Sequence, residues 1–325
     1  MSQNKKRLKL KKWVYYVIFV IILIIVIVIG VNLYKEYKYR QSNEYKLLQL
    51  GYTDNEVDIL LEKLSNNTVK DLLTKDKDDD VVSFAKEKYY IDKNLNEYLA
   101  YYDENKNTNT KDVVAIINVN ADHDWYDEEL ETDTSKNELM IVNKFYALTK
   151  DYAPENLVTI PLDYSYGNEG DNKLIDYAYE HFLDLWNAAY DEGYHLMVTS
   201  SYRDYESQEE VYNYRKETYG QRAADETAAR PGHSEHQTGL VVDMTSTTEA
   251  SANEFKNSDA YKWLKENAYK YGFIERYPED KEYLTGYSAE SWHWRYVGVD
   301  AATTMHKNDI TYDEYYAFYI ENQGK

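Results

Sequence analysis

The hydrophobic positions near the start of the chain form one uninterrupted run. Residues 13–31 read WVYYVIFVIILIIVIVIGV and carry no charge. At about 1.5 Å per residue, a helix over this run is roughly 28 Å long, close to the hydrocarbon thickness of a bilayer. A secretory signal peptide would have a shorter apolar segment and a small-residue cleavage site, which Asn32 to Lys35 do not offer. We therefore expect an uncleaved transmembrane anchor over residues 13–33.

The segment after the anchor alternates between charged stretches and short amphipathic patterns. Thr53-x-x-Glu56 predicts a capping box that opens one helix, and Thr68-x-x-Asp71 predicts the start of a second. We interpret residues 34–111 as a stalk with a small helical hairpin, which acts as an adaptor or spacer.

From residue 112 the pattern changes to short apolar runs separated by amphipathic helices. Helices are expected over residues 171–193, from Ser207 to Tyr219 and over 258–271. Strands are expected at VVAIINVN (113–120), HLMVTSSY (195–202), LVVDM (240–244), FIERY (273–277) and HWRYV (293–297). Because strict βαβ alternation is missing, the pattern predicts an α+β domain over residues 112–325, with a central antiparallel or mixed sheet flanked by helices.

Charge and composition restrict the possible partners and the chemistry. The formal net charge of −21 makes nucleic acid an unsuitable partner. The first twelve residues hold six Lys or Arg and no acid, so the positive-inside rule predicts a cytoplasmic tail over 1–12 and an extracytoplasmic domain. The absence of cysteine excludes disulfides, cysteine-based zinc sites and thiol nucleophiles. This composition is compatible with a Gram-positive surface protein, single-pass in the cell membrane.

Four polar residues lie on or beside the predicted strands. His236 precedes one strand, Asp243 ends it, and Glu290-x-x-His293 begins another. Catalytic zinc commonly takes three nitrogen or oxygen ligands and keeps one position for water, which His236, Asp243 and His293 could supply. Glu290 could then accept a proton from that water, whose pKa zinc lowers to around 7.

Each of these residues also has an ordinary structural explanation. His236 could cap the turn at Gly239, and Asp243 could bind backbone N–H groups at a strand end. Glu290 to His293 could simply begin a strand. The spacing alone leaves the metal site and these explanations open.

Three separated motifs, in the same order, resemble those of a known family. They are SSYRDYESQ (200–208), PGHSEHQTGLVVD (231–243) and ESWHWRYVG (290–298). In these motifs the chain is similar to the VanY-type D-alanyl-D-alanine carboxypeptidases, zinc metallopeptidases that act on peptidoglycan. The likeness runs from about residue 112 to 313, and the anchor, stalk and hairpin lie outside it.

The resemblance implies one zinc ion per chain, held by His236, Asp243 and His293. It implies that Glu290 is the catalytic base and that Arg203 lies near the scissile carbonyl and the substrate carboxylate. The implied function is a membrane-anchored, zinc-dependent D,D-carboxypeptidase that removes the C-terminal D-Ala from peptidoglycan stem peptides.

Three more residues of the motifs are candidates for contact with the substrate. Gln208 lies in the first turn of a predicted helix, Ser234 lies in the turn before His236, and Trp292 precedes His293. The alternatives within the class are an L,D-carboxypeptidase or an endopeptidase acting on the same stems. The alternative from another class is a non-catalytic wall-binding or sensor protein with the helical hairpin as its functional part.

Overall fold

The computed structural model describes residues 11–247 and 252–322. One compact unit ends at Leu95, and the other begins at Asn96. Residues 1–10, most of the basic tail predicted to be cytoplasmic, lie outside the described residues. The predicted domain boundaries at 33/34 and 111/112 stay predictions.

The N-terminal unit is built from helices. They are α1 (Lys12–Gln41), α2 (Asn43–Gln49), α3 (Asp54–Lys63), α4 (Asn66–Leu72) and α5 (Asp79–Ala85). Helix α1 contains the apolar run, has a mean hydropathy of 3.3 in its most apolar window, and is long and apolar enough to cross a membrane. The capping box of Thr53 and Glu56 is confirmed at the start of α3, whereas α4 is capped by Ser65 rather than Thr68.

The second unit combines helices with short strands, as the α+β prediction requires. Its helices are α6 (Leu95–Glu104), α7 (Thr110–Asn118), α8 (Asp176–Asp191), α9 (Tyr205–Tyr219), α10 (Gln221–Thr227), α11 (Ala252–Lys256), α12 (Asp259–Asn267), α13 (Glu282–Thr285), α14 (Val299–Asn308) and α15 (Tyr312–Tyr315). Its strands are β1 (Leu130–Glu131), β2 (Tyr146–Ala147), β3 (Leu157–Thr159), β4 (Lys173–Ile175), β5 (Leu196–Ser200), β6 (Val241–Ser246), β7 (Phe273–Glu275) and β8 (His293–Tyr296).

The main sheet of this unit has the strand order β5-β6-β8-β7, and all its neighbours are antiparallel. In its register Asp243 of β6 is opposite Ser200 of β5 on one side and His293 of β8 on the other. Two further two-stranded sheets join β1 to β2 in parallel and β3 to β4 antiparallel. The antiparallel central sheet confirms the predicted fold class.

Helix α8 covers one face of the main sheet. Its apolar positions recur at helical spacing, so Ala178, Phe182, Leu185 and Ala189 form one buried stripe. This stripe belongs to the same core as the inward residues Val198, Val242, Met244 and Trp294 of the strands. The packed core holds the strand ends in place, and those ends carry the candidate site.

Three further local predictions are wrong at least in part. The helix expected over residues 171–193 begins at Asp176, because residues 173–175 pair with β3 as strand β4. Residues 113–120 were expected to form a strand, but most of them belong to helix α7, where Val113 to Ile117 are all buried. A short apolar run does not distinguish a buried helix from a buried strand by periodicity. Helix α9 begins at Tyr205 instead of after Ser207, because the Asp204 side chain caps it by accepting from the Ser207 N–H.

Candidate metal centre

The register of the main sheet brings the three predicted metal ligands together. Asp243 and His293 are opposite each other on β6 and β8, and His236 lies in the 3₁₀ turn Glu235–Thr238 that leads into β6. One potential ligand atom from each residue lies within 4.8 Å of the others, and all three residues are buried.

The turn before β6 depends on a glycine. Gly239 has a φ of 70°, in the left-handed region that other residues rarely adopt. A Cβ at this position would meet the side chains of Leu157, Pro154 and Ile175 at 3.0–3.2 Å. Gly239 therefore lets the chain pass from the His236 turn into β6 within a packed environment.

Hydrogen bonds to the outer nitrogens orient both imidazole rings. Nδ1 of His236 lies 2.6 Å from the backbone oxygen of Ser201, and Nε2 of His293 lies 3.3 Å from Oε2 of Glu235. A carbonyl oxygen and a carboxylate only accept, so we infer that these nitrogens carry the protons. The lone pairs of His236 Nε2 and His293 Nδ1 then face Asp243, at 3.5 and 3.3 Å from its carboxylate oxygens.

The chemistry of this cluster fits zinc. Two imidazole nitrogens and one carboxylate oxygen are typical catalytic zinc ligands, and a three-ligand set leaves a position for water. Asp243 Oδ1 is buried and makes no hydrogen bond within the described part of the chain. Leaving a buried carboxylate oxygen unsatisfied is costly, and a cation bound between the three residues would compensate for it.

Glu290 lies on the same side of His293 as the candidate ligand atom. Its Oε2 is 3.4 Å from His293 Nδ1, and its backbone N–H donates to the Tyr277 oxygen at 2.9 Å. Burial raises the pKa of Glu290 to about 7, and the charge of Asp243 adds to this while His293 opposes it. A carboxyl group with a pKa near neutrality can both accept and return a proton.

Arg203 brings a positive charge to the same place. Its Nη1 donates to Gln208 Oε1 at 2.7 Å, and its Nη2 donates to Ser200 Oγ at 2.9 Å. Burial lowers the pKa of Arg203, whereas the carboxylates of Asp243 and Glu290 raise it. An arginine keeps its charge under such conditions, so a fixed cation faces the metal cluster.

A cavity of about 150 Å³ opens beside the cluster, and all the predicted site residues line it. Gln208 is buried, and its amide is engaged at both ends, because Nε2 donates to the Ala229 oxygen at 2.7 Å. Ser234 is buried on the cavity wall, and Trp292 is half-buried there. Trp294, by contrast, lies in the core.

Several residues of this site have no role predicted from the sequence. Glu235 was quoted in a motif without a role, yet it contacts His293. Glu235 could have been recognised because it is an acidic residue directly before the candidate ligand His236. Val211 and Arg215 line the cavity together with Gln208, and their spacing of three and seven residues from Gln208 predicts that they share its face of α9.

The antiparallel sheet and the buried cluster of His236, Asp243 and His293 together define a candidate metallopeptidase site. Residues 171–299 match the family model described as VanY, D-alanyl-D-alanine carboxypeptidase. The chain belongs to this family of D-alanyl-D-alanine carboxypeptidases.

Several relatives and solved structures are similar to this chain. The bifunctional D-Ala-D-Ala dipeptidase and D-Ala-D-Ala carboxypeptidase VanXYC of Enterococcus gallinarum is 30% identical over 186 residues, which cover 56% of this chain and 95% of the relative. A D-alanyl-D-alanine carboxypeptidase of Enterococcus faecalis is 37% identical over 48% of this chain, and the match spans only 61% of that protein. The solved structure of the LdcB LD-carboxypeptidase is 39% identical, with a TM-score of 0.55, and covers 58% of this chain and 90% of that one.

Proposed function

We propose that this protein is a membrane-anchored D,D-carboxypeptidase that removes the C-terminal D-Ala from peptidoglycan stem peptides. The observation that carries the proposal is the convergence of three potential ligand atoms within 4.8 Å, beside the half-buried Glu290. The names of the Enterococcus faecalis and Enterococcus gallinarum relatives support D-Ala-D-Ala ends as the substrate.

In this proposal His236, Asp243 and His293 hold the zinc ion. When bound, zinc supplies a Lewis acid for the scissile carbonyl and lowers the pKa of water at the site to around 7. Glu290 accepts the proton of the attacking water and passes it to the leaving amine. Glu290 Oε2 lies 3.4 Å from His293 Nδ1, so the proposed base lies on the side of the proposed ligand atoms.

Arg203 opposes the negative charge of the substrate, either on the developing oxyanion or on the terminal carboxylate. Gln208 and Ser200 hold two of its donors, and a guanidinium has five, so others remain for an anion. Ser234 and Trp292 are proposed to contact the peptide from the cavity wall, and Gln208 to act there as well as on Arg203.

The proposed location rests on helix α1. Its length and mean hydropathy suit a single membrane span, and the basic residues before it favour a cytoplasmic start with the catalytic unit outside. We propose a tail over 1–12, an anchor over 13–33, a stalk over 34–111 and a catalytic domain over 112–325. Protease added to intact cells should degrade the catalytic unit, whereas a mature N-terminus near residue 35 would instead identify a cleaved signal peptide.

A second candidate is an L,D-carboxypeptidase that acts on tetrapeptide stems. The likeness to the LdcB LD-carboxypeptidase favours this candidate, because the two sequences are 39% identical and the match covers 90% of the LdcB chain. An endopeptidase remains a third candidate. A non-catalytic wall-binding or sensor protein is disfavoured, since pure binding would not require Glu290 beside the metal ligands.

Release of D-Ala from synthetic stems separates these candidates. The purified full chain is given a pentapeptide stem ending in D-Ala-D-Ala, the same stem with an amidated C-terminus, and a tetrapeptide stem ending in a single D-Ala. A D,D-carboxypeptidase releases D-Ala from the pentapeptide free acid only. Faster release from the tetrapeptide would identify an L,D-carboxypeptidase, and equal cleavage of the amidated stem would identify an endopeptidase.

A further inference from the structure

Glu235 is a buried carboxylate whose two oxygens serve different partners. Only 1% of the residue is exposed. Its Oε2 lies 3.3 Å from His293 Nε2, while its Oε1 accepts from Arg276 Nε at 2.8 Å and from Arg295 Nη1 at 3.0 Å. Two guanidinium groups therefore fix one end of the carboxylate, and the other end faces the outer nitrogen of a proposed metal ligand.

The two arginines are themselves held by further partners. Arg276 makes a bidentate pair with Asp313, at 2.6 and 3.1 Å, and Asp313 also accepts from Asn143 Nδ2 at 2.8 Å. Arg295 Nη2 donates to the backbone oxygens of residues 138 and 140, at 3.0 and 2.8 Å. Two cations and two anions thus form a closed, buried ionic network.

Stability alone is a poor explanation for such a network. Removing a charge from water costs several kcal/mol per ion, and replacing buried ion pairs by apolar side chains is often neutral or stabilising. What the network provides is a carboxylate that cannot move. Among its four charged members in the described part of the chain, Glu235 is the one whose side chain pairs with the ring of His293.

We propose that Glu235 is a positioning residue for the metal site, which fixes the ring of His293 so that Nδ1 faces Asp243 and the zinc ion. This inference rests on the ligand role of His293 in the proposed function. A carboxylate bonded to the outer nitrogen of a ligand histidine also makes that ligand more basic. His236 is oriented differently, by the neutral backbone oxygen of Ser201, so the two histidines are held by unlike partners.

Asp313 offers a matched control. Glu235 and Asp313 are both buried and both pair with Arg276, so Glu235→Gln and Asp313→Asn each remove one negative charge from the same network. Both variants leave an arginine under-compensated and should lower the thermal stability of the zinc-free protein. Only Glu235→Gln alters the contact to His293.

The test measures zinc affinity on the purified full chain, by competition with a chromophoric chelator, beside thermal unfolding of the zinc-free protein. Glu235→Gln should weaken zinc binding by about 10–100-fold, and Asp313→Asn should stay within about threefold of wild type. Equal affinity of wild type and Glu235→Gln would overturn the inference. Equal weakening by both variants would also overturn it, because the network would then act only through the fold.

If Glu235→Gln does not fold, Glu235→Asp gives the answer. This variant keeps the counter-charge for both arginines and withdraws the carboxylate from His293 by one methylene. Weakened zinc binding by the folded variant supports the positioning role, and wild-type binding overturns it. Failure of the proposed function looks different: His293→Ala would bind zinc normally, or zinc-loaded wild type would release no D-Ala while Glu235→Gln still lost affinity.

Discussion

The two walls of the cavity are built in different ways. The strand wall, residues 235–246 and 293–296, carries the proposed zinc ligands, and nearly all of its residues are buried. The helical wall, residues 205–230, contains α9 and α10, whose buried residues are Gln208, Tyr212 and Ala224. The proposed metal ligands therefore lie on a packed sheet, whereas the proposed substrate contacts include residues of an exposed helical pair.

Polar contacts hold several parts of the helical wall. Arg230 pairs with both oxygens of Asp225, at 3.0 and 2.9 Å, and Gln208 binds the Ala229 oxygen. The Lys144 ammonium donates to the backbone oxygen of Asp225. We therefore expect substitutions on the strand wall to change zinc binding and turnover. Substitutions on the helical wall should change substrate binding and local stability.

The largest effect is expected from the ligands of the strand wall. His236→Ala or His293→Ala should remove zinc and lower D-Ala release on the order of 10³-fold or more, since the Lewis acid is lost. Metal analysis and the release assay on the same samples measure both. His306→Ala is the control, because this exposed residue stacks on Tyr269. Zinc retention by both ligand variants would refute the site.

The second largest effect should come from Glu290→Gln. This change keeps the size of the side chain but removes its ability to accept a proton, so turnover should fall by about 10²–10⁴-fold. The zinc content should match that of wild type. Near wild-type turnover would mean that another group activates the water.

An effect of intermediate size is expected where the two walls meet. Arg203→Lys keeps the charge but loses the planar fork that Gln208 and Ser200 hold, so kcat/KM should drop by about 10–100-fold. Arg215→Lys, on an exposed arginine of the cavity rim, should change kcat/KM by less than about threefold. Similar losses in both variants would argue against a special position for Arg203.

The smallest effect concerns the pH dependence of the helical wall. Burial lowers the pKa of Lys144 from 10.5 to about 8, so the unfolded chain binds more protons between these values. Stability should therefore rise with pH from about 8 to 10.5 in wild type relative to Lys144→Met. Denaturant unfolding at several pH values measures this difference, with the exposed Lys150→Met as control. Parallel pH profiles of wild type and Lys144→Met would contradict it.

The sequence predicted the fold class and candidate residues on both walls of the cavity. The strands that carry Asp243 and His293 were predictable, because each coincides with a short apolar or aromatic run, LVVDM (240–244) and HWRYV (293–297). Their antiparallel register, which brings the two side chains together, was not predictable from one chain. Trp292 and Trp294 could not be separated by pattern, and the structure alone puts one on the cavity and the other in the core.

The role of Glu235 depends on contacts between residues that are far apart in the sequence. Glu235 lies 58 residues from His293 and 41 from Arg276, so no local pattern links them. Residues 113–117 were predicted to lie in a strand because five consecutive apolar residues show neither the helical nor the strand periodicity of hydrophobic positions. The roles of the site residues stay predictions until variants are measured.

Zinc titration of the metal-free full chain tests whether D-Ala release depends on one bound zinc ion per chain. After removal of metal with a chelator, zinc is added in steps, and D-Ala release from a pentapeptide stem ending in D-Ala-D-Ala is followed. The account predicts that activity returns in proportion to zinc and reaches its plateau at one ion per chain. Release of D-Ala by the metal-free protein, or no release at full zinc loading, would contradict it.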